Sequence, residues 1–192
     1  ENGIVKYEDK QGGMSTVINN LNHTGSGDFN ADLFTLKTST TADEVNFSYG
    51  GIPYFNKVKT SIDADIQVDA KNSKYTFNTD KIKLNELQLT TKGFFQFVND
   101  TTYGMDIKFD APSTSFKNIL SFIPAIYANN FSAIKTSGDA VFNGFVKGNY
   151  NATQIPAYAL NLDVKNGFFQ YPDLPKAVKN INLTLNVNNP DG

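Results

Sequence analysis

Hydrophobic and polar residues alternate along most of this 192-residue chain. In one segment Ile181, Leu183, Leu185 and Val187 are separated by Asn and Thr, and the segment 103–110 has the same pattern. A period of two, with one apolar and one polar face, is typical of a strand that is buried on one side. We therefore predict a mainly β, antiparallel protein of roughly ten to twelve strands.

One hairpin pattern recurs along the chain. Residues 158–187 read as a strand, a turn at Asn166-Gly167, an aromatic strand, a connection bounded by prolines and a return strand. Residues 2–21 and 47–68 repeat this order with changes. The copies are unevenly spaced, so they do not indicate a solenoid of fixed period. They predict one long sheet that is built of repeated hairpins.

Four local predictions concern bulges and the lengths of strands. The residues 29–36 and the pair Asn85-Glu86 change the phase of the pattern, which indicates β-bulges. Val45 to Tyr49 is predicted as a separate strand, and Val58 to Val68 as an unusually long one.

Residues 112–134 break the β pattern. Pro112 to Ser115 offer helix-capping residues, and Phe116, Ile119, Leu120 and Ile123 follow at helical spacing until Pro124. A second apolar segment with helical spacing continues to Ile134. We predict a short helical insert that caps one end of the apolar side of the sheet, since it is too apolar to stand free in water.

Composition excludes several classes of function. The net charge is −2 and no basic stripe is present, which argues against nucleic-acid binding. All 17 basic residues are lysines, so the planar fork of arginine is absent, and the lack of cysteine excludes disulfides and thiolate metal sites. Because Glu1 is not a natural start and no long apolar run is present, we expect a fragment of a longer protein that forms a single domain over residues 1–192.

Few residues suggest chemistry. The single histidine, His23, lies beside a glycine turn and is interpreted as a surface-loop residue. Asp63, Asp65 and Asp69 alternate along one strand, whereas calcium sites need converging oxygens. Six Asn-x-Ser/Thr sites are attributed to the abundance of these residues. We predict no catalytic residue, no metal site, no cofactor and no enzymatic activity.

Two segments carry a resemblance to a known family. The hairpin from Ala157 to Pro175, with Val178-Lys179-Asn180-Ile181 and Asn189-Pro190-Asp191-Gly192, is similar to the AsmA-like proteins of Gram-negative bacteria, in a Bacteroidetes-like style. So is the insert from Ala111 to Pro124. The resemblance spans nearly the whole chain and matches a middle portion of such a protein best.

The resemblance implies a periplasmic protein that an N-terminal helix, absent from this chain, tethers to the inner membrane. It implies a role in outer-membrane biogenesis, with movement of phospholipid along a β-groove and outer-membrane assembly proteins as candidate partners. The family offers no catalytic residues to transfer.

A long sheet with one apolar face must bury that face against something. A curved sheet or half-barrel groove would leave room for lipid chains, whereas a closed β-sandwich, as in an adhesin-like interaction module of the envelope, would bury the face internally. Both architectures demand the same alternation, and an enzyme is the third hypothesis. The candidate groove residues are Met105, Ile107, Phe109, Phe142, Leu160, Leu162, Leu183 and Leu185.

Overall fold

The chain is mostly β-strand with one short helix. A computed structural model describes residues 1–10, 12–120, 133–172 and 175–192, apart from the side chains of residues 80, 112 and 113. The strands are β1 (Gly3–Asp9), β2 (Met14–Ser26), β3 (Leu33–Tyr49), β4 (Ile52–Asp69), β5 (Lys74–Leu84), β6 (Leu87–Asn99), β7 (Thr102–Ser115), β8 (Lys135–Tyr150), β9 (Ala157–Gln170) and β10 (Val178–Asn189). The helix α1 (Phe116–Leu120) follows β7.

These strands form a single curved, antiparallel sheet in sequence order, from β1 at one edge to β10 at the other. The prediction of a mainly β protein built of hairpins with one helical insert is therefore confirmed. The longest strand, β4, has 18 residues, which corresponds to about 60 Å of chain. The part of the insert predicted between Ser121 and Ser132, including Ile123 and Pro124, lies outside the described residues, and Ile134 at its predicted end is buried.

The cross-strand register gives the sheet one apolar and one polar face. Directly paired residues have side chains on the same face. One row of successive partners crosses from β3 to β9 as Leu36, Ile66, Phe77, Gly93, Ile107, Val146 and Tyr158. The neighbouring row on the other face is Thr35, Gln67, Thr76, Phe94, Asp106, Lys147 and Ala157. We call the side that contains the first row the apolar face.

Bulges interrupt the ladders of several strands, and a recurrent asparagine motif occurs at two of them, in β9 and β4, and at the start of β1. Asn166 has a φ of 52°, and its N–H donates to Oδ1 of Asn182 over 3.2 Å. Asn2 has a φ of 55°, and its N–H donates to Asn22 over 2.9 Å. Bulges increase the local twist and bend of a strand, so repeated bulges favour a curved sheet.

The same hydrogen bond occurs a third time between β4 and β3. The N–H of Lys57, where φ is 52°, donates to Oδ1 of Asn46 over 2.9 Å. Asparagine suits these positions because its short amide side chain reaches the backbone group that a bulge leaves unpaired.

Several local predictions were wrong. The pair Asn166-Gly167 is a bulge within β9 and not a turn, because β9 continues through it to Gln170. The pair Asn85-Glu86 is the turn between β5 and β6 and not a bulge. Short-range alternation does not separate the two cases, because both a bulge and a two-residue turn shift the phase of the pattern.

The beginning of β3 also differs from the prediction. Residues 27–32 connect β2 to β3 outside the ladder, so the phase change in this region reflects a loop and not a bulge. The segment from Val45 to Tyr49 is the end of the 17-residue strand β3 and not a separate strand.

The helix α1 packs on the apolar face over β8 and β9. Phe116 and Leu120 form a buried cluster with Ala140, Leu162 and Val164. Ser115 caps the helix, since its Oγ accepts the N–H of Asn118 over 3.3 Å. The side chain of Asn118 donates in turn to the carbonyl of Glu86 over 3.2 Å, which ties the helix to the β5–β6 turn.

Candidate ligand-binding face

The register places all the predicted groove residues on the apolar face, over β7 to β10. Phe142 pairs with Leu162, and Leu162 pairs with Leu185. The ring centroids of Phe109 and Phe142 lie 5.6 Å apart. Leu160 of β9, which pairs with Gly144, lies between these rings and β10. Met105 and Ile107 continue the patch along β7, and Leu183 continues it along β10. These residues therefore form one contiguous surface.

A glycine makes room for the aromatic rings on this surface. Gly144 is paired with Phe109, and a Cβ atom at Gly144 would run into the Phe109 ring and into the carbonyl of Ala159. The absence of a side chain at Gly144 thus leaves room for the Phe109 ring over the neighbouring strand. Substitution there would displace the ring from the surface.

Exposure along the apolar face varies with position. All the buried apolar strand residues lie on this face, and Val58 on β4, at 1% exposure, is far from α1 in strand order. Toward the strand ends and the β10 edge the same face is open: Leu183 is 44% exposed and Tyr150 is 51% exposed. Among the described residues α1 packs on this surface over β7–β9, and Ala42, Val58 and Leu87 are buried on the same face outside its cluster.

A row of aromatic rings lies on the apolar face near the ends of β5 to β8 that are remote from α1. Its members are Tyr75, Phe95, Phe97, Tyr103 and Tyr150. Neighbouring ring centroids are 5.2 to 6.5 Å apart, in edge-to-face and stacked arrangements. Such contacts hold the rings in place while Phe97 and Tyr150 remain about half exposed. The result is a preformed aromatic surface.

The polar face is lined by amides, lysines and carboxylates. Its ion pairs are exposed, as in the 3.3 Å contact between Lys147 and Asp106, so they contribute little to stability. Nζ of Lys74 lies 4.0 Å from the centroid of the Phe94 ring, so the lysine covers this aromatic side chain on the polar face. No charged or polar residue is buried in the part of the chain that the structure describes.

The aspartates of β4 do not converge. Asp63 and Asp65 lie on the polar face, and Asp69 ends the strand and accepts the N–H and the side-chain amide of Asn72 over 3.1 and 2.7 Å. These hydrogen bonds lower the pKa of Asp69 from its ordinary value of 3.8. Among the described residues no group of three or more His, Asp or Glu side chains is placed to hold a metal ion.

His23 is a strand residue and not a loop residue, which corrects the sequence prediction. It lies near the end of β2, and its Nδ1 is 2.8 Å from Oγ1 of its cross-strand partner Thr40. The side chain is exposed, and no carboxylate contacts it within the described ranges.

The asparagines of the Asn-x-Ser/Thr sites have structural roles that the sequence interpretation missed. Asn22, Asn46 and Asn182 accept the backbone N–H groups of Asn2, Lys57 and Asn166 described above. Asn99 and Asn151 accept backbone N–H groups two residues ahead, as in tight turns. Asn130 lies outside the described residues.

The candidate surface is also wider than the prediction. The row of aromatic residues and the apolar residues of β2 to β6 belong to the same face, although only residues of β7 to β10 were proposed. The alternation in β4, from Ile62 to Val68, indicates that this strand has an apolar face. Whether that face is on the same side of the sheet as the apolar residues of β7 depends on the register of three intervening hairpins.

Searches for relatives found no matching family model, no matching curated protein and no matching solved structure. The resemblance to the AsmA-like family therefore stays a prediction. No helix among the described residues is long and apolar enough to cross a membrane.

Proposed function

We propose that this protein is a non-enzymatic lipid-binding protein whose apolar face holds the acyl chains of phospholipid or a related lipid. In this proposal it works in the periplasm, tethered to the inner membrane, and serves outer-membrane biogenesis. The observation that supports lipid binding best is the apolar face itself, which is uncharged in its successive cross-strand partners and half exposed toward the strand ends. Exposed apolar surface of this extent is typical of a binding surface.

The physical chemistry favours a chain-like apolar ligand. A fully buried CH₂ group contributes about 0.8 kcal/mol, and a surface open on one side returns only part of that. A lipid with many CH₂ groups would still bind without a specific polar contact, because the small contributions add along its chain. Among the described residues no charged or polar residue is buried, and the buried unpartnered polar side-chain atoms are the hydroxyls of Thr114 and Thr136, which supports a mainly apolar ligand.

The alternative, an adhesin-like module with a closed core, requires a second layer over the apolar face. The described strands all belong to one sheet, and the buried cluster of α1 takes in Ala140, Leu162 and Val164, with Phe142, Phe169 and Ile181 packed at its margin. Leu183 and Leu185 would be buried in a closed sandwich, whereas they are 44% and 42% exposed. We therefore favour the open surface.

Neighbouring residues of β10 provide a matched test. Leu185→Asp puts a carboxylate on the apolar face, and Asn186→Asp puts the same charge on the polar face one residue later. The proteins are incubated with phosphatidylethanolamine–phosphatidylglycerol vesicles and re-isolated, and their bound lipid is extracted and quantified by mass spectrometry. We expect lipid on the wild type and on the Asn186→Asp protein, and a loss of at least about fivefold for Leu185→Asp.

Thermal unfolding separates binding from folding. Both variants should unfold within a few degrees of the wild type, because both residues are exposed. A wild-type protein that takes up no lipid, or equal loss of lipid in the two variants, would contradict the proposal.

A further inference from the structure

Strand β10 repeats β2 in sequence and in backbone geometry. The residues 18–22 of β2 read Ile-Asn-Asn-Leu-Asn, and the residues 178–182 of β10 read Val-Lys-Asn-Ile-Asn. Asn20 and Asn180 both have a positive φ, of 53° and 56°. Asn22 and Asn182 each donate from Nδ2 to the carbonyl two residues earlier, over 3.1 and 3.3 Å. β1 pairs with one edge of β2 as β9 pairs with one edge of β10. The other edges of β2 and β10 therefore have the same backbone shape.

In β2 that neighbour is β3, and carboxylates fix the contact. Asn20 donates from Nδ2 to Oδ2 of Asp43 over 3.0 Å, and Asn19 donates from Nδ2 to Oε2 of its partner Glu44 over 3.2 Å. In β10 the equivalent residues are Asn180 and Lys179. The lysine is a stronger partner for a carboxylate than the asparagine that it replaces.

The outer edge of β10 has no such neighbour among the described strands. It is 12 residues long, and its single charge is Lys179, with no proline. Edge strands are usually protected from pairing by charges, prolines or short length. The opposite edge, β1, has seven residues and carries Lys6, Glu8 and Asp9. Of the two edge strands, only β10 is therefore long and nearly uncharged, as a strand that pairs with a further strand should be.

We propose that the outer edge of β10 binds an extended partner strand that pairs antiparallel with it, as β3 pairs with β2. The partner strand alternates apolar and polar residues and carries a carboxylate opposite Lys179. Backbone hydrogen bonds supply the attachment, and the alternation sets the register, as in other cases of β-strand addition. This interaction does not depend on the lipid proposal, because it uses the edge and not the apolar face.

A synthetic peptide of residues 33–49, the β3 sequence, is the probe. We expect it to bind the intact chain and to slow amide hydrogen exchange along β10, while exchange along β1 is unchanged. A scrambled peptide of the same composition should bind at least about tenfold more weakly, because its alternation is lost.

A charge exchange tests the register. The chain variant Lys179→Glu should bind the peptide about fivefold more weakly, since Glu44 of the peptide then faces a like charge. A peptide with Glu44→Lys should restore the affinity of that variant and lose affinity for the wild type. Circular dichroism checks that the exposed substitution leaves the sheet intact.

Three results would overturn the proposal. The first is binding of the scrambled peptide with the same affinity as the β3 peptide. The second is slowed amide exchange in β1 or across the apolar face, and the third is a peptide affinity that the charge exchange leaves unchanged. A peptide-free dimer that protects β10 would identify a second copy of the chain as the occupant and would also overturn it.

Discussion

Two regions of the apolar face have the same alternation and different environments. Under α1, Val164 is 2% exposed and belongs to the buried cluster. Near the remote ends of β6 to β8, Phe97 and Tyr150 are about half exposed, although they lie on the same face. Alternation along a strand thus decides which face a residue occupies, and the side chains packed around that residue decide how deeply it is buried, since Val58 is 1% exposed away from α1.

Because the two regions differ in burial, we expect them to contribute differently to stability and to ligand binding. The buried region under α1 contributes more to stability than the aromatic row, because burial of apolar surface is the main favourable term in folding. The aromatic row gains less from folding, and its exposed surface remains for a ligand. A substitution in each region should therefore affect different measurements.

The largest effect is expected for a charge under α1. Val164→Asp would place an unpaired carboxylate in the cluster with Leu120 and Leu162. We expect a loss of about 4 kcal/mol or more in the free energy of unfolding, measured by denaturant titration. Leu185→Asp, on the open part of the face, should cost about 1 kcal/mol. Equal costs would show that the two regions are not differently covered.

Truncation should separate stability from binding. Leu120→Ala removes a buried side chain of α1 and should lower the free energy of unfolding by about 2–4 kcal/mol without weakening lipid uptake. Phe97→Ala should cost about 1 kcal/mol and reduce lipid uptake. Calorimetry and extraction of bound lipid provide the two measurements. A reduction of lipid uptake by Leu120→Ala alone would reverse the assignment.

The bulges should have a smaller effect. Asn182→Ala removes the acceptor of the Asn166 N–H, and we expect a loss of about 1 kcal/mol in the free energy of unfolding. Asn186→Ala, on the same strand and face but outside the bulge, is the control and should change stability by less than about 0.5 kcal/mol. Indistinguishable variants would mean that the asparagine does not fix the bulge.

The smallest effect concerns Asp69 at the β4–β5 turn, away from both regions. Its folded-state pKa lies below the ordinary 3.8, so its contribution to stability is present above that pH and is lost as the pH falls through the folded-state value. Asp69→Asn should remove this acid-dependent part. Plots of the free energy of unfolding against pH, measured for the two proteins between pH 5 and pH 2, should differ slightly in slope. Parallel plots would contradict the assignment.

Much of this architecture could be predicted from the sequence, because alternation in segments such as 181–187 identifies both the strand and its faces. The bulge at Asn166 was mistaken for a turn, since Asn-Gly fits both and only the pairing of Gly167 with Ile181 distinguishes them. The aromatic row was missed because its members lie on four strands. Their adjacency follows from the register of pairs such as Phe95 with Met105, which no single strand reveals.

The location of a bound fatty acid tests the central claim most directly. The protein is incubated with a fatty acid that carries a photoreactive diazirine on its chain, irradiated and digested, and the labelled residues are mapped by mass spectrometry. We predict labels on the open apolar face, at residues such as Phe97, Ile107 and Leu185, and none on polar-face neighbours such as Asn186. Labels spread equally over both faces, or no labelling, would contradict the account.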